Sequence, residues 1–127
     1  LGDVYKRQMY KTAQGELADA ELVWSDDPAV SVVIASGGYP GDYEKGYPIS
    51  GLADAAAAGA VVFHAGTAFK NGDIVNTGGR VLGVSARGKT IREAIANAYA
   101  GVKKIHFTDC FYRNDIGAKA LAREEDK

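Results

Sequence analysis

The dipeptide Asn71-Gly72 constrains the fold of this chain more than any other feature of its sequence. Both residues tolerate the positive φ angles of a type I′ turn, so the pair predicts a β-hairpin with a two-residue loop. Such a loop fixes the strand register and places Gly66 opposite Thr77. It also places His64 opposite Gly79, unless a β-bulge intervenes, and Gly78-Gly79 is the candidate for that bulge.

Strand and helix signals surround this hairpin. β-branched or apolar runs predict strands, helical spacing of apolar residues predicts helices, and Thr90 with Glu93 forms a capping box. The predicted strands are residues 21–24, 29–35, 60–64 and 80–86. The predicted helical segments are residues 9–20 (broken at Gly15), a single turn at 54–58, and a long helix at 91–105. The composition of residues 123–127 predicts a charged, frayed tail. The whole pattern predicts an α+β domain with a mixed, largely antiparallel sheet and one long packing helix.

Charge and cysteine content exclude several classes of protein. The chain has 127 residues, the length of one domain, and 15 Lys and Arg balance 16 Asp and Glu. This balance gives no electrostatic footprint for nucleic acid or an anionic membrane, and no apolar run approaches the ~20 residues of a membrane span. The single cysteine, Cys110, rules out an internal disulfide and fits a reducing compartment. With only two histidines, the chain shows no zinc-ligand spacing.

Glycine is the compositional outlier, with 16 of 127 residues, roughly twice the average. The segment 37–41, which contains Gly37 and Gly38, is either an anion-binding nest or a tight turn, and it lacks the residues of a P-loop. The segment 77–80 offers Gly78, Gly79 and Arg80: either a guanidinium fork for phosphate or a β-bulge with a solvated arginine.

The remaining candidates are single residues. His64, near Thr67, ends an apolar strand and reads as a satisfied structural histidine or as a base. Arg113 either pairs locally with Asp115 or touches a ligand, and Cys110 reads as a small buried residue. No arrangement of a nucleophile and a base is evident. The residues therefore predict three glycine-rich loops that can converge on a small anionic ligand, and they do not define a reaction.

Five stretches in order carry a resemblance: residues 35–46, 48–52, 62–67, 78–84 and 111–117. Their order and spacing resemble the C-terminal domain of the phosphoribosylamine–glycine ligase family, also called glycinamide ribonucleotide synthetases. The resemblance covers about residues 9–121. It implies the C-terminal fragment of a cytoplasmic ATP-grasp ligase of purine biosynthesis, which joins glycine to 5-phosphoribosylamine through a glycyl phosphate, using ATP and Mg²⁺ or Mn²⁺. The alternative is a stand-alone phosphosugar-binding or packing domain.

The resemblance also implies how the chain is divided. Residues 1–8 are a possible non-native leader, residues 9–21 are the end of the ATP-grasp domain, and residues 22–127 are the C-terminal domain. In the family, this domain packs against the N-terminal and ATP-grasp domains. The ATP-clamping lysines, the lid and the metal-binding segment lie upstream of it. We therefore expect neither ATP nor metal to bind this fragment alone, and we expect no catalytic residue within it.

Analogy with related ligases makes Arg80 the best candidate for contacting the substrate phosphate. Gly37, Gly38, Gly78 and Gly79 would shape the approach to it. His64, Thr67 and Arg113 are weaker candidates. This assignment rests on the resemblance.

Overall fold

Two antiparallel sheets and a set of helices build the fold, as described by a computed structural model for residues 2–19 and 24–125. The strands are β1 (Ala29–Ala35), β2 (Val61–His64), β3 (Thr67–Lys70), β4 (Asp73–Asn76) and β5 (Arg80–Arg87). The α-helices are α1 (Gly2–Gln14), α2 (Leu52–Ala57), α3 (Ile91–Val102) and α4 (Ala118–Glu125), and Leu17–Asp19 forms a 3₁₀ turn. The predicted α+β class is confirmed. The strands divide into a three-stranded sheet, in the order β1-β5-β2, and the β3-β4 hairpin.

One face of the three-stranded sheet forms the core. Alternate residues of β1 and β5 point to that face, and α3 packs across it. The fully buried side chains include Val32, Ile34, Val84 and Ala98, each at most 1% exposed. Burial of this apolar surface drives folding. The opposite face of the sheet, which we call the outer face, is not covered by any helix that the structure describes.

The hairpin has the predicted register: Thr67 pairs with Asn76, and Lys70 with Asp73. Beyond it the register changes. His64 pairs with Leu82, so the unbulged pairing of His64 with Gly79 is wrong. The extra residues lie at the glycine corner before β5, where the sequence predicted a bulge, because the chain there leaves one sheet and enters the other.

Helix α3 begins at its predicted cap and ends earlier than predicted. Thr90 Oγ1 accepts a hydrogen bond from the Glu93 N–H at 3.1 Å. The Glu93 carboxylate accepts from the N–H of Lys89 at 2.8 Å, one residue before the partner that a capping box predicts. The helix ends at Val102, but Ile105 is still buried at 5% exposure, so the apolar spacing extended beyond the helix itself.

The ends of the chain differ most from the sequence predictions. Helix α1 includes residues 2–8, which lack clear periodicity, and it stops before Gly15 as predicted. The predicted strand at residues 21–24 lies mostly outside the described residues, and Trp24 is not in a strand. The frayed tail is wrong for residues 123–125, because α4 continues through them after starting beside Gly117. Across the described ranges, no helix combines the length and apolarity needed to cross a bilayer. The proposed domain boundary after residue 21 stays a prediction.

Candidate ligand-binding groove

The outer face of the three-stranded sheet carries an apolar row at its centre. Val33 pairs with Gly83 on one side, and Phe63 pairs with Gly83 on the other. Because paired residues project to the same side of a sheet, the three residues form one row across it. Val33 is 45% exposed and Phe63 is 43% exposed. These apolar side chains therefore lie on a surface that nothing in the described chain covers.

A β-bulge places Arg80 on this same face. Ile34 pairs with Leu82, but the next residue, Ala35, pairs with Arg80, which leaves Val81 without a partner on β1. In a regular strand Arg80 would share the core face with Leu82. The extra residue reverses this, because a bulge re-aims the side chains that precede it. Val81 is fully buried, and Arg80 is exposed on the outer face.

A close crossing of two backbones forms the corner that leads into β5. The Thr77 N–H donates to the Gly66 carbonyl at 2.8 Å. A Cβ atom on Gly66 would lie 2.7 Å from Cα of Gly78, closer than real side chains come. Glycine is therefore required here so that the chain leaving β2 can cross the chain entering β5.

Tyr39 lies directly on the backbone that precedes Arg80. A Cβ atom on Gly79 would overlap the Tyr39 ring, so the ring occupies the space that the missing side chain leaves. The Ser36 N–H also donates to the Gly79 carbonyl at 2.8 Å. The loop after β1 and the corner before β5 are thereby held together, and Tyr39 becomes a wall beside Arg80.

These elements enclose an open groove of about 620 Å³ on the outer face. The residues that line it are Val33, Tyr39, Phe63, Ala65, Gly66, Gly79, Arg80, Leu82 and Gly83. The volume is within the range of small-molecule sites, which combine an apolar lining with a few polar groups. Arg80 is the one charged residue among those that line it, and its guanidinium makes no hydrogen bond or ion pair within the described ranges. The groove thus offers an apolar floor and a free bidentate donor for an anion.

A buried polar network fixes the loops on either side of the corner. Asn76 is fully buried, and its Nδ2 donates to Ser36 Oγ and to the Glu44 carbonyl, both at 2.9 Å. Its Oδ1 accepts from the Tyr47 N–H at 2.7 Å. Ser36 Oγ in turn donates to the Gly78 carbonyl at 2.9 Å. Since every member has its partners, the network rigidifies the groove wall without leaving a polar group unsatisfied.

Gly37 and Gly38 do not line the groove. Gly38 has a φ of +95°, and a Cβ atom there would overlap the Asp42 carbonyl, so it serves the turn after β1. Gly37 packs against Asp109 and lines a separate cavity of about 170 Å³. The expectation that three glycine-rich loops converge holds for the corners at Gly66 and Gly79, which line the groove with Arg80. It is wrong for the loop after β1, which contributes Tyr39 and neither of its glycines, and Gly78 is not among the lining residues.

His64, Thr67 and Arg113 are likewise absent from the groove lining. His64 Nδ1 and Thr67 Oγ1 share a 3.0 Å hydrogen bond across the turn between β2 and β3. Arg113 holds Asp115 with two hydrogen bonds, of 2.8 and 2.6 Å. Hydrogen bonding from Arg113 lowers the pKa of the Asp115 carboxyl, and the same contact raises the pKa of Arg113. Of the two sequence interpretations of Arg113, the structure shows the local ion pair.

Sequence reasoning missed the floor of the groove. Val33, Phe63 and Gly83 were all within predicted strands, and their alternation with core residues was visible. Their alignment in one row required the β1-β5-β2 order, which no local signal gives. Tyr39 was noted only as part of a turn, because its contact with Gly79 joins residues far apart in the sequence.

The donor set of the described chain does not fit a metal centre. Within residues 2–19 and 24–125, no three His, Cys, Asp or Glu side chains are grouped so that they could hold a metal ion. The groove contains no carboxylate to bind Mg²⁺ or Mn²⁺, which prefer oxygen ligands.

Comparison with known proteins places these features in a family context. Residues 29–119 match the family described as phosphoribosylglycinamide synthetase, C domain. The phosphoribosylamine–glycine ligase of Rhizobium meliloti is 53% identical over 116 residues, which is 91% of this chain and 27% of that relative. The ligase of the same name from Synechocystis is 56% identical over 100 residues, covering 79% of this chain and 24% of that relative.

A solved structure shows the same fold. The crystal structure of phosphoribosylamine–glycine ligase from Thermotoga maritima superposes with a TM-score of 0.72 at 35% identity. The match covers 90% of this chain and 27% of the Thermotoga chain. The chain therefore spans about a quarter of the length of the relatives it matches.

Proposed function

This chain belongs to the phosphoribosylglycinamide synthetase C-domain family, and from that membership we propose that it is the C-terminal part of a phosphoribosylamine–glycine ligase. The full-length protein joins glycine to 5-phosphoribosylamine at the expense of ATP, a step of purine biosynthesis in the cytoplasm. Nucleotide and Mg²⁺ or Mn²⁺ are held by the upstream N-terminal and ATP-grasp domains of that protein. This chain supplies a binding surface and a packing surface to the ligase.

The observation that carries the proposal is the position of Arg80. The β-bulge brings its guanidinium onto the outer face, at the edge of a groove in which it is the one charged group among the described lining residues. A guanidinium is suited to a phosphate because its N–H groups match the spacing of the phosphate oxygens. We assign Arg80 to the phosphate of phosphoribosylamine, with Gly78 and Gly79 keeping the backbone compact beside it.

The role of this chain in the reaction is to bind and orient. A phosphate held on Arg80 fixes the substrate relative to the glycine that it must meet, and such positioning lowers the entropy cost of the bimolecular step. No proton transfer is assigned to His64, whose imidazole is hydrogen-bonded to Thr67 away from the groove lining.

The test is a chimeric ligase. In the Rhizobium meliloti relative, the segment matched by this chain is replaced with this sequence, and glycine-dependent release of ADP is measured with phosphoribosylamine as substrate. Arg80→Ala should lower kcat/KM for phosphoribosylamine roughly 30-fold, because a hydrogen bond to a charged group contributes about 2 kcal/mol. Arg87→Ala is the matched control, since Arg87 is exposed at the far end of the same strand. It should change kcat/KM less than twofold.

A chimera that fails to ligate glycine while remaining folded would overturn the proposal. Equal effects of the Arg80 and Arg87 substitutions would remove Arg80 from the phosphate site but keep the ligase assignment. We also expect the 127-residue chain alone to form no ADP with glycine, phosphoribosylamine and Mg²⁺-ATP. Ligation by the chain alone would contradict the division of labour proposed here.

A further inference from the structure

Gly83 is a glycine that the fold itself does not require. It lies in the interior of β5, the central strand of the sheet, where glycine weakens a strand relative to other residues. Its φ is not in the left-handed region, unlike that of Gly38 or Gly72. Backbone conformation therefore does not explain why a side chain is missing at this position.

Packing within the chain does not explain it either. A Cβ atom built on Gly83 would lie 3.7 Å from Ser31 Oγ and 3.9 Å from Cβ of Phe63, both ordinary van der Waals distances. The contrast with Gly66 and Gly79 is sharp, because a Cβ atom on either of those glycines would collide with the chain. An alanine at position 83 would fit without any movement of its neighbours.

The space above Gly83 belongs to the groove. Gly83 is the middle of the apolar row on the outer face, with Val33 on one side and Phe63 on the other. A side chain at this position would project into the groove and fill its floor. Where neither backbone nor packing requires glycine in a strand, the close approach of a ligand or of another chain is the remaining physical reason.

The position of Arg80 indicates which occupant fits. Along β1, the Arg80 pair is two residues beyond the Gly83 pair, a distance of about 7 Å. A phosphate on the guanidinium therefore leaves the sugar of a phosphopentose above Gly83. The carbon–hydrogen face of that ring can pack on Val33 and on the Phe63 ring, while its hydroxyl groups face the open side of the groove.

Resting on the proposed function, we propose that Gly83 determines the ligand specificity of the groove. Because Gly83 has no side chain, the groove has room above it for the sugar ring of a phosphorylated pentose. A phosphorylated sugar suits this groove because its phosphate can pair with the unpaired Arg80 guanidinium while its ring packs on the apolar floor. An apolar polypeptide segment in the same place would bury the guanidinium without a partner, which is costly. Gly83 is a determinant of ligand size at the site to which Arg80 contributes the charge.

The experiment uses the same chimeric ligase and two inhibitors, ribose 5-phosphate and inorganic phosphate. Gly83→Ala, Gly83→Val and Gly83→Leu add bulk in steps. The inhibition constant of ribose 5-phosphate should rise progressively, at least tenfold for Gly83→Leu, because the ring loses its seat. The constant for inorganic phosphate should change less than twofold, because phosphate alone needs only Arg80. The KM values for ATP and glycine should also stay within twofold.

Ser85→Leu is the control for bulk on the same face, because Ser85 is in the adjacent row, paired with Ser31, and outside the groove lining. It should leave both inhibition constants unchanged. The thermal midpoint of the Gly83 variants should equal or exceed that of the unchanged chimera, since glycine in a strand interior loses more conformational entropy on folding than any residue that replaces it.

Each other result overturns the inference. Unchanged inhibition by ribose 5-phosphate would show that the ring is not above Gly83. Equal weakening of both inhibitors would show a general disturbance of the site. A lowered thermal midpoint with unchanged inhibition would show that a polypeptide segment covers the groove. In these three cases the unchanged chimera still ligates glycine, so the proposed function survives. An inactive unchanged chimera instead overturns the proposed function, and this inference with it.

Discussion

Asn76 is the residue whose loss should most directly disturb the groove wall. Asn76→Ala removes three hydrogen bonds, to Ser36 Oγ, to the Glu44 carbonyl and from the Tyr47 N–H. At about 1 kcal/mol for each bond, the free energy of unfolding should fall by about 3 kcal/mol. For a domain of this size, that corresponds to a thermal midpoint lower by about 10 °C.

The assay is equilibrium urea unfolding of the chain, with Asn97→Ala as the matched control. Asn97 makes a single side-chain hydrogen bond, to the Arg87 carbonyl at 2.9 Å, and it is in helix α3. Its replacement loses about 1 kcal/mol from that bond and regains much of it from the higher helix propensity of alanine. Equal destabilisation by the two substitutions would refute the argument. A further check is the double variant Asn76→Ala with Ser36→Ala, which should destabilise by less than the sum of the single changes, because the two residues share one network.

Two further predictions concern the surroundings of the groove. Gly79→Ala should lower the free energy of unfolding by about 1–3 kcal/mol, because the added methyl group overlaps the Tyr39 ring. In a Tyr39→Ala background the same substitution should lower it far less. An equal loss in both backgrounds, measured by urea unfolding, would contradict the contact. The hydrogen bond from Arg113 is the main cause of the lowered pKa of Asp115. The ionised carboxylate therefore stabilises the folded chain at pH values above the ordinary pKa of Asp, and this stabilisation is lost as the pH falls below about 4. A carboxyl NMR titration should therefore show the pKa of Asp115 rising in Arg113→Ala, and an unchanged titration would show that the ion pair does not form in solution.

Local sequence signals predicted the local elements of this fold. Strand β1, the Asn71-Gly72 turn and the Thr90 cap each depend on residues close together in the chain, and each is confirmed. The division into two sheets was not predicted, because it depends on where β5 leaves the hairpin and pairs with β1 and β2. The extent of α3 was overestimated, since Ile105 continues the apolar spacing after the helix has ended.

The candidate site divides in the same way. Arg80 does lie beside a bulge, but the extra residue is Val81 in the pairing of β5 with β1. The predicted bulge at Gly78-Gly79 is instead the point where the chain passes from the hairpin to the three-stranded sheet. The side of the sheet that Arg80 occupies could not be read from the sequence, since Arg80 and the core residue Leu82 would share a face in a regular strand. Tyr39 and Phe63 enter the groove through contacts with distant segments, which a single sequence does not encode in any local pattern.

Because Val81 is an extra residue relative to β1, the number of residues in this segment decides which face of the sheet Arg80 occupies. Deleting one residue there would turn the guanidinium toward the hydrophobic interior and remove it from solvent, even if every other amino acid were retained. Spacing in this stretch is therefore as consequential as identity. A single substitution near the corner can alter the shape of the groove by degrees. Insertion or deletion of one residue would instead move Arg80 entirely from one face of the sheet to the other.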